Sequence, residues 1–244
     1  MLTISKTAET RIGYRIRPIY QIELSERDLE LLKKIQAFFG GIGFITKATK
    51  GCLAFRVRSL EELKIIIAHF DSYPLKTKKR ADFELFKLAV SKLINKEHLK
   101  LKGFKEVLSI RASMNLGLSD SLKEAFPGIV PVVRPEVIND KVFQPQWLSG
   151  FISGEGCFFV NLSKSDTNLI GYKVSLLFTL TQHSRDLELL ESIKEYLGCG
   201  AVKQSSSRAI CILKVIKFSD NFEKIIPFIN KHKIFGVKLS DFID

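Results

Sequence analysis

The stretch 147-WLSGFISGEGCFFV-160 decides how the chain is read. A single acid, Glu155, stands between Gly154 and Gly156 in a run that is otherwise small and apolar. Read as a helix over 147–155, it puts Gly150 and Gly154 on one face, with Ser149 and Ser153 alongside. Glycine inside a helix costs about 1 kcal/mol against alanine, so the pair asks for compensation, such as the close approach of a partner helix. Glu155 then closes the helix at its C-terminal end, where the macrodipole disfavours an anion. A cation accounts for a carboxylate there. Two such acids meeting at a symmetric junction would hold divalent metal over a phosphodiester. The plainer alternative is a core helix that ends on a solvated glutamate.

Composition narrows the setting. The 244 residues are 45% hydrophobic and 26% charged, enough for one large or two small cores. A net charge of +12 and a pI near 9.5 suit a polyanion, nucleic acid or an anionic membrane, unless the surface is basic without a purpose. Cys52, Cys157, Cys199 and Cys211 lack metal-ligand spacing and read as reduced, mostly buried thiols. The four histidines are equally dispersed, which speaks against a histidine-metal site. Glu155 is the only charge between Lys141 and Lys164, but glycines and breakers interrupt that segment, so a membrane span is discounted.

An internal repeat organises the chain. Slid on itself, 11-RIGYRI-16 faces 169-LIGYKV-174 and, in the same frame, 27-RDLELLKKIQAFFG-40 faces 185-RDLELLESIKEYLG-198. Two copies of one unit are implied. Alternating residues over 12–24 and 170–182 predict long strands, and apolar spacing over 26–39 and 184–197 predicts helices with Ser25 or Ser184 as caps. Short strands follow at 42–48 with 51–58 and at 200–205 with 208–217, then helices at 60–71 and 219–231. Gly40, Gly41 and Gly43 follow a helix, which marks a C-cap and turn and not a nucleotide loop. Only the first copy continues into helices at 82–95 and 104–115. The domains expected are 1–130, a proline-bearing linker at 131–143, and 144–244. Projected through the repeat, the counterpart of the glycine-faced helix falls before Met1, and the first residues read as a strand, not a transit peptide. The second unit stops short of the first unit's later helices.

Outward-facing strand residues are taken as Arg15, Arg17, Gln21, Lys164, Lys173, Ser175 and Gln182. Arg and Gln read purine edges in the major groove, and Lys and Ser suit phosphates. A solvated sheet face is the alternative.

These residues resemble a known family. 148-LSGFISGEG-156 is similar to the signature helix of the LAGLIDADG homing endonucleases, with the acid in the eighth position and Ser153 where the consensus has Asp. The strand 158-FFVNL-162, the turn 181-TQHSRD-186, 197-LGCG-200, 236-GVKLSDF-242, 70-FDSYPLKTK-78 and 95-NKEHLKLKGF-104 extend the likeness to single-chain, two-motif members encoded by organellar introns. The resemblance implies an α+β fold of two pseudo-symmetric αββαββα units forming an antiparallel saddle on DNA, the first without its leading helix. It implies a monomer that cleaves a long asymmetric duplex site with Mg²⁺, in a mitochondrial setting and with no membrane partner. By position, Glu155 becomes the metal-binding acid, Gln182 a residue ordering active-site water, and Lys79 and Lys238 the basic residues near the scissile phosphates. Lys79 sits in a basic run and reads equally as surface lysine. Gly150 and Gly154 become the helix interface. The competing functions are an RNA-binding intron maturase and a DNA-binding remnant without cleavage.

Overall fold

The structure, a computed structural model, describes residues 1–137 and 144–243. The chain divides into two compact units, Met1–Ile138 and Asn139–Asp244. The linker expected over 131–143 lies outside the described residues at 138–143. No helix among the described residues is long and apolar enough to cross a membrane.

In the first unit, β1 (Leu2–Lys6) pairs antiparallel with β2 (Tyr14–Pro18), setting Leu2 opposite Pro18 and Ser5 opposite Arg15. β3 (Tyr20–Ser25), β4 (Phe44–Lys47) and β5 (Cys52–Val57) form a second sheet in the order β3-β5-β4. Helix α1 (Leu29–Phe38) joins β3 to β4, and α2 (Leu60–Ser72), α3 (Lys79–Ile94), α4 (Leu101–Ser113) and α5 (Asp120–Ala125) follow. The single strand expected over 12–24 is therefore two. Pro18 has no N–H to give a ladder, and beyond it the chain passes from β1 to β5 as its partner. Short helix α5 carries no apolar period long enough to be seen in the sequence.

Two apolar cores hold this unit. One gathers Leu2, Ile16, Leu85, Ala89, Phe104 and Val107 between the β1–β2 ladder and α3–α4. The other gathers Leu32, Phe55, Val57, Leu63, Ile66 and Val90 under the three-stranded sheet. At Gly103 a Cβ would stand 2.2 Å from the Glu97 carbonyl oxygen, so only glycine lets α4 start against the turn before it.

The second unit runs α6 (Pro145–Glu155), β6 (Gly156–Lys164), β7 (Tyr172–His183), α7 (Leu187–Leu197), β8 (Ala201–Gln204) and β9 (Ile210–Val215). Its antiparallel sheet has the order β6-β7-β9-β8. A continuous helical rod follows, made of α8 (Phe218–Asp220), a π-helical turn at Asn221–Ile225 and α9 (Ile226–Lys231); α10 (Lys238–Ile243) comes last. This is the expected αββαββα order. Among the described residues the first unit has no counterpart of α6. Strand β7 is unbroken because Leu176 stands where the first unit has Pro18. The wide turn before α9 accommodates Pro227, which cannot donate to a regular helix. Leu148 and Ile152 of α6 join Phe178, Leu180, Leu190 and Ile193 in one core.

Two local expectations change. Ser25 Oγ accepts from the Arg27 N–H at 3.4 Å as expected, but in the second unit His183, not Ser184, caps, its Nδ1 accepting from the Arg185 N–H at 3.2 Å. Cys199 and Cys211 are buried, and burial raises both thiol pKa values, but Cys157 is exposed and Cys52 half-buried.

Asn221 is buried, and its Nδ2 donates to the carbonyls of Leu176, Val215 and Lys217 at 3.2–3.3 Å. It ties β7, the end of β9 and the π turn together. Asn221→Leu is expected to cost about 2 kcal/mol in urea unfolding, because it strands buried carbonyls. Gly103→Ala should cost at least as much, since its new methyl meets backbone that cannot step aside.

Candidate active site and nucleic-acid face

Helix α6 opens on Pro145, whose fixed φ suits the first helical position. Leu148 and Ile152 are fully buried, and Trp147 stacks on Phe151 with ring centroids 5.0 Å apart. The helix then enters β6 with no intervening loop. Gly156 makes this possible: a Cβ there would lie 2.6 Å from the Ile152 carbonyl oxygen, which already accepts the Gly156 N–H. Glu155 is therefore fixed at a helix–strand junction, with its side chain exposed.

The loop before α10 is fastened along the same helix. Ser149 is buried and its hydroxyl donates to the Lys233 carbonyl. The Ser153 hydroxyl donates to the Ser149 carbonyl at 2.8 Å and accepts from the Phe235 N–H at 2.9 Å. The two serines thus serve this loop. A methyl built on Gly150 or Gly154 meets no atom within 4 Å.

That loop delivers Lys238, the first residue of α10. Its ammonium donates to the Gly154 carbonyl at 3.3 Å and to the Gly156 carbonyl, one on each side of Glu155. A cation at the C-terminal end of α6 offsets the negative pole of the helix and makes the site tolerable for the carboxylate. Lys238 and Glu155 are thus brought together.

Strand register sorts the remaining candidates. Gly156 faces Leu180 across the ladder, so Gln182 lies at the same end of the sheet as Glu155. Gln182 was expected to face outward, but it pairs with buried Cys211 and shares the parity of Phe178 and Leu180, the face turned to the helices. Lys164 likewise shares the parity of Phe158 and Phe178. It is exposed because the helices leave that end of β6 bare, as Val160 and Leu162 on the same parity also show. Alternation has period two, and the outward set named from the sequence mixed both parities. Lys173 and Ser175 do lie on the outer face, opposite Ser163 and Asn161.

In the first unit Arg15 and Arg17 share the outer face of β2, and Arg15 is ion-paired with Glu9. Gln21 lies on the outer face of β3 and is already engaged: its Oε1 accepts from Arg56 Nε at 2.9 Å, and its Nε2 donates to Glu23 at 2.9 Å. Sequence reasoning missed Arg56 and Glu23. The alternation of 52–57, with Phe55 and Val57 inward, would have placed Arg56 outward. Lys79 opens α3 as Lys238 opens α10, and it lines an apolar cleft of about 490 Å³ with Tyr20, Phe70, Phe83 and Phe86.

A duplicated α+β unit, a glycine-faced helix closing on an acid, and outer sheet faces carrying Arg, Lys and Gln define a protein of the homing-endonuclease class. The LAGLIDADG endonuclease model matches residues 1–90 and 148–244. "Probable intron-encoded endonuclease 3" of Neurospora crassa is 39% identical over 100% of this chain and 46% of its own length; "Probable intron-encoded endonuclease 2" of the same fungus is 38% identical, over 100% and 55%. The chain thus spans about half the length of these curated relatives. The solved structure of I-SmaMI bound to uncleaved DNA target in the presence of calcium ions has a TM-score of 0.97 at 40% identity, covering 100% of this chain and 83% of that one. I-GzeII in complex with its DNA target gives 0.91 at 42%, covering 99% and 82%. The I-SmaMI structures include two single lysine-to-alanine variants and their double variant. The chain belongs to the LAGLIDADG endonuclease family.

Gly150→Ala is expected to leave melting unchanged or to raise stability by up to about 1 kcal/mol, since it adds helix propensity and meets nothing. Ser153→Ala, which frees the Phe235 N–H, should lower stability by about 1 kcal/mol in the same denaturation assay.

Proposed function

We propose that the chain is a site-specific, intron-encoded endonuclease that cleaves both strands of a long asymmetric duplex, acting as a monomer in the mitochondrion. The observation that carries this reading is the Glu155 carboxylate held at the α6–β6 junction with the Lys238 ammonium bridging the carbonyls on either side. The family and the DNA-bound relatives support it.

A divalent cation fits the donors present. Among the described residues no three His, Cys, Asp or Glu side chains cluster to make an all-protein cage. An exposed carboxylate beside a phosphate suits Mg²⁺, which keeps several waters and binds through one or two carboxylates plus substrate phosphate. Glu155 would hold it. Bound there, the cation would stabilise charge on the phosphodiester undergoing hydrolysis. Lys238 has a third N–H beyond the two given to carbonyls, and it can reach a phosphate oxygen and stabilise the negative charge that develops. Gln182, half-buried at the same end of the sheet, orders water through its amide. Lys79 does in the first unit what Lys238 does in the second. In support, these two lysines stand at the same separation in sequence as the two replaced by alanine in I-SmaMI. Arg15, Arg17, Lys173 and Ser175, on the outer strand faces, contact the duplex, and Gly150 and Gly154 form the face for a second motif helix.

The test is a duplex carrying the uninterrupted insertion site of the intron. With Mg²⁺ the chain is expected to give double-strand breaks. Glu155→Gln should abolish cleavage while binding in Ca²⁺ persists, with affinity falling steeply as salt rises. Duplex binding without breaks or nicks would reduce the chain to a DNA-binding remnant. Intron RNA bound equally by both proteins, with no duplex binding, would mark a maturase.

A further inference from the structure

On the outer face of the three-stranded sheet, Gln21, Glu23, Thr46 and Arg56 surround Ala54, which is small and fully buried beneath them. Their side chains form one chain of hydrogen bonds. Arg56 donates from Nη1 to the Thr46 hydroxyl and the Lys47 carbonyl, and from Nε to Gln21. Gln21 passes an N–H to Glu23 Oε2, and the Thr49 hydroxyl donates to Glu23 Oε1 at 2.5 Å. Glu23 is thus held from two sides, with a lone pair left on each oxygen, and its side chain is exposed. The Thr49 bond foremost, with Arg56 and Gln21 behind it, keeps its carboxyl below the ordinary carboxylate range.

A fixed negative charge is out of place on a surface for a polyanion, because every phosphate within a Debye length repels it. It is in place if it meets the floor of the groove. We propose that Glu23 is a base-reading residue, its carboxylate accepting a hydrogen bond from the N4 amino group of a cytosine in the major groove. Carboxylates pair with that donor, whereas guanine offers only acceptors at the same edge. The network sets the carboxylate before DNA arrives, so little side-chain freedom is lost on binding. Gln21 and Arg56 then act through Glu23 as positioning residues. The inference rests on the DNA reading above.

The experiment is selection of duplexes from a randomised library by the full chain in Ca²⁺, run with wild type, Glu23→Gln and Glu23→Ala. Both variants change an exposed side chain, and unchanged melting verifies the fold. One cytosine position in the wild-type site should lose about tenfold in preference with Glu23→Ala, and with Glu23→Gln it should move toward adenine, the base an amide reads. All other positions should keep their preferences. A sharp wild-type site that both variants reproduce, with binding merely tighter across all sequences, would overturn the inference and leave the DNA reading standing. A wild-type selection that enriches no sequence would overturn both.

Discussion

The second unit depends on a methyl group that is not there. Gly156 lets α6 deliver its last residue straight into β6, with the Ile152 carbonyl where any Cβ would need to be. A loop at this point would let Glu155 wander. Without one, the carboxylate inherits the rigidity of a helix buried through Leu148 and Ile152 and of a strand laddered to β7. The same junction gathers two backbone carbonyls close enough for one ammonium to take both. Acid, lysine and strand end converge because one residue has no side chain.

The two units spend their outer faces differently. In the first, the three-stranded sheet carries a continuous polar network from Thr46 through Arg56 and Gln21 to Glu23. In the second, the outer face of β6 and β7 alternates small polar groups with Phe159 and Leu177, opposite one another across the ladder. Hydrogen-bonding side chains discriminate among base edges, while apolar ones favour the thymine methyl. A duplicated backbone thus presents unlike chemistry on the outer faces of its two units.

Much of the architecture was legible because duplication shows itself in the letters. The identical RDLELL runs, at 27–32 and 185–190, both fall across the helix starts where spacing put them. The acid at the end of α6 was legible from glycine spacing and dipole electrostatics. Parity was not: Lys164 and Gln182 were grouped with outward residues although they share the parity of Phe158, Phe178 and Leu180, because the outward set was chosen by residue type and not by strict alternation. The neighbours of Gln21 escaped notice because β3 pairs with β5 across an intervening helix and strand, so no local turn reveals their register in the sequence. The role of Ser149 and Ser153 was also hidden. Loop 233–235, which they hold, is distant in sequence and carries no period.

Pro18 has an effect beyond interrupting a strand. It leaves the first unit with two ladders, each seated on its own core, one under β1–β2 and one under the sheet that bears Gln21 and Arg56. The two cores are bridged by α3, which sends Leu85, Ala89 and Leu93 into one and Phe86 and Val90 into the other, so both ladders rest on a shared helix. A substitution on the inward side of α3 would therefore reach both ladders at once, whereas one confined to a strand would be felt mainly in its own.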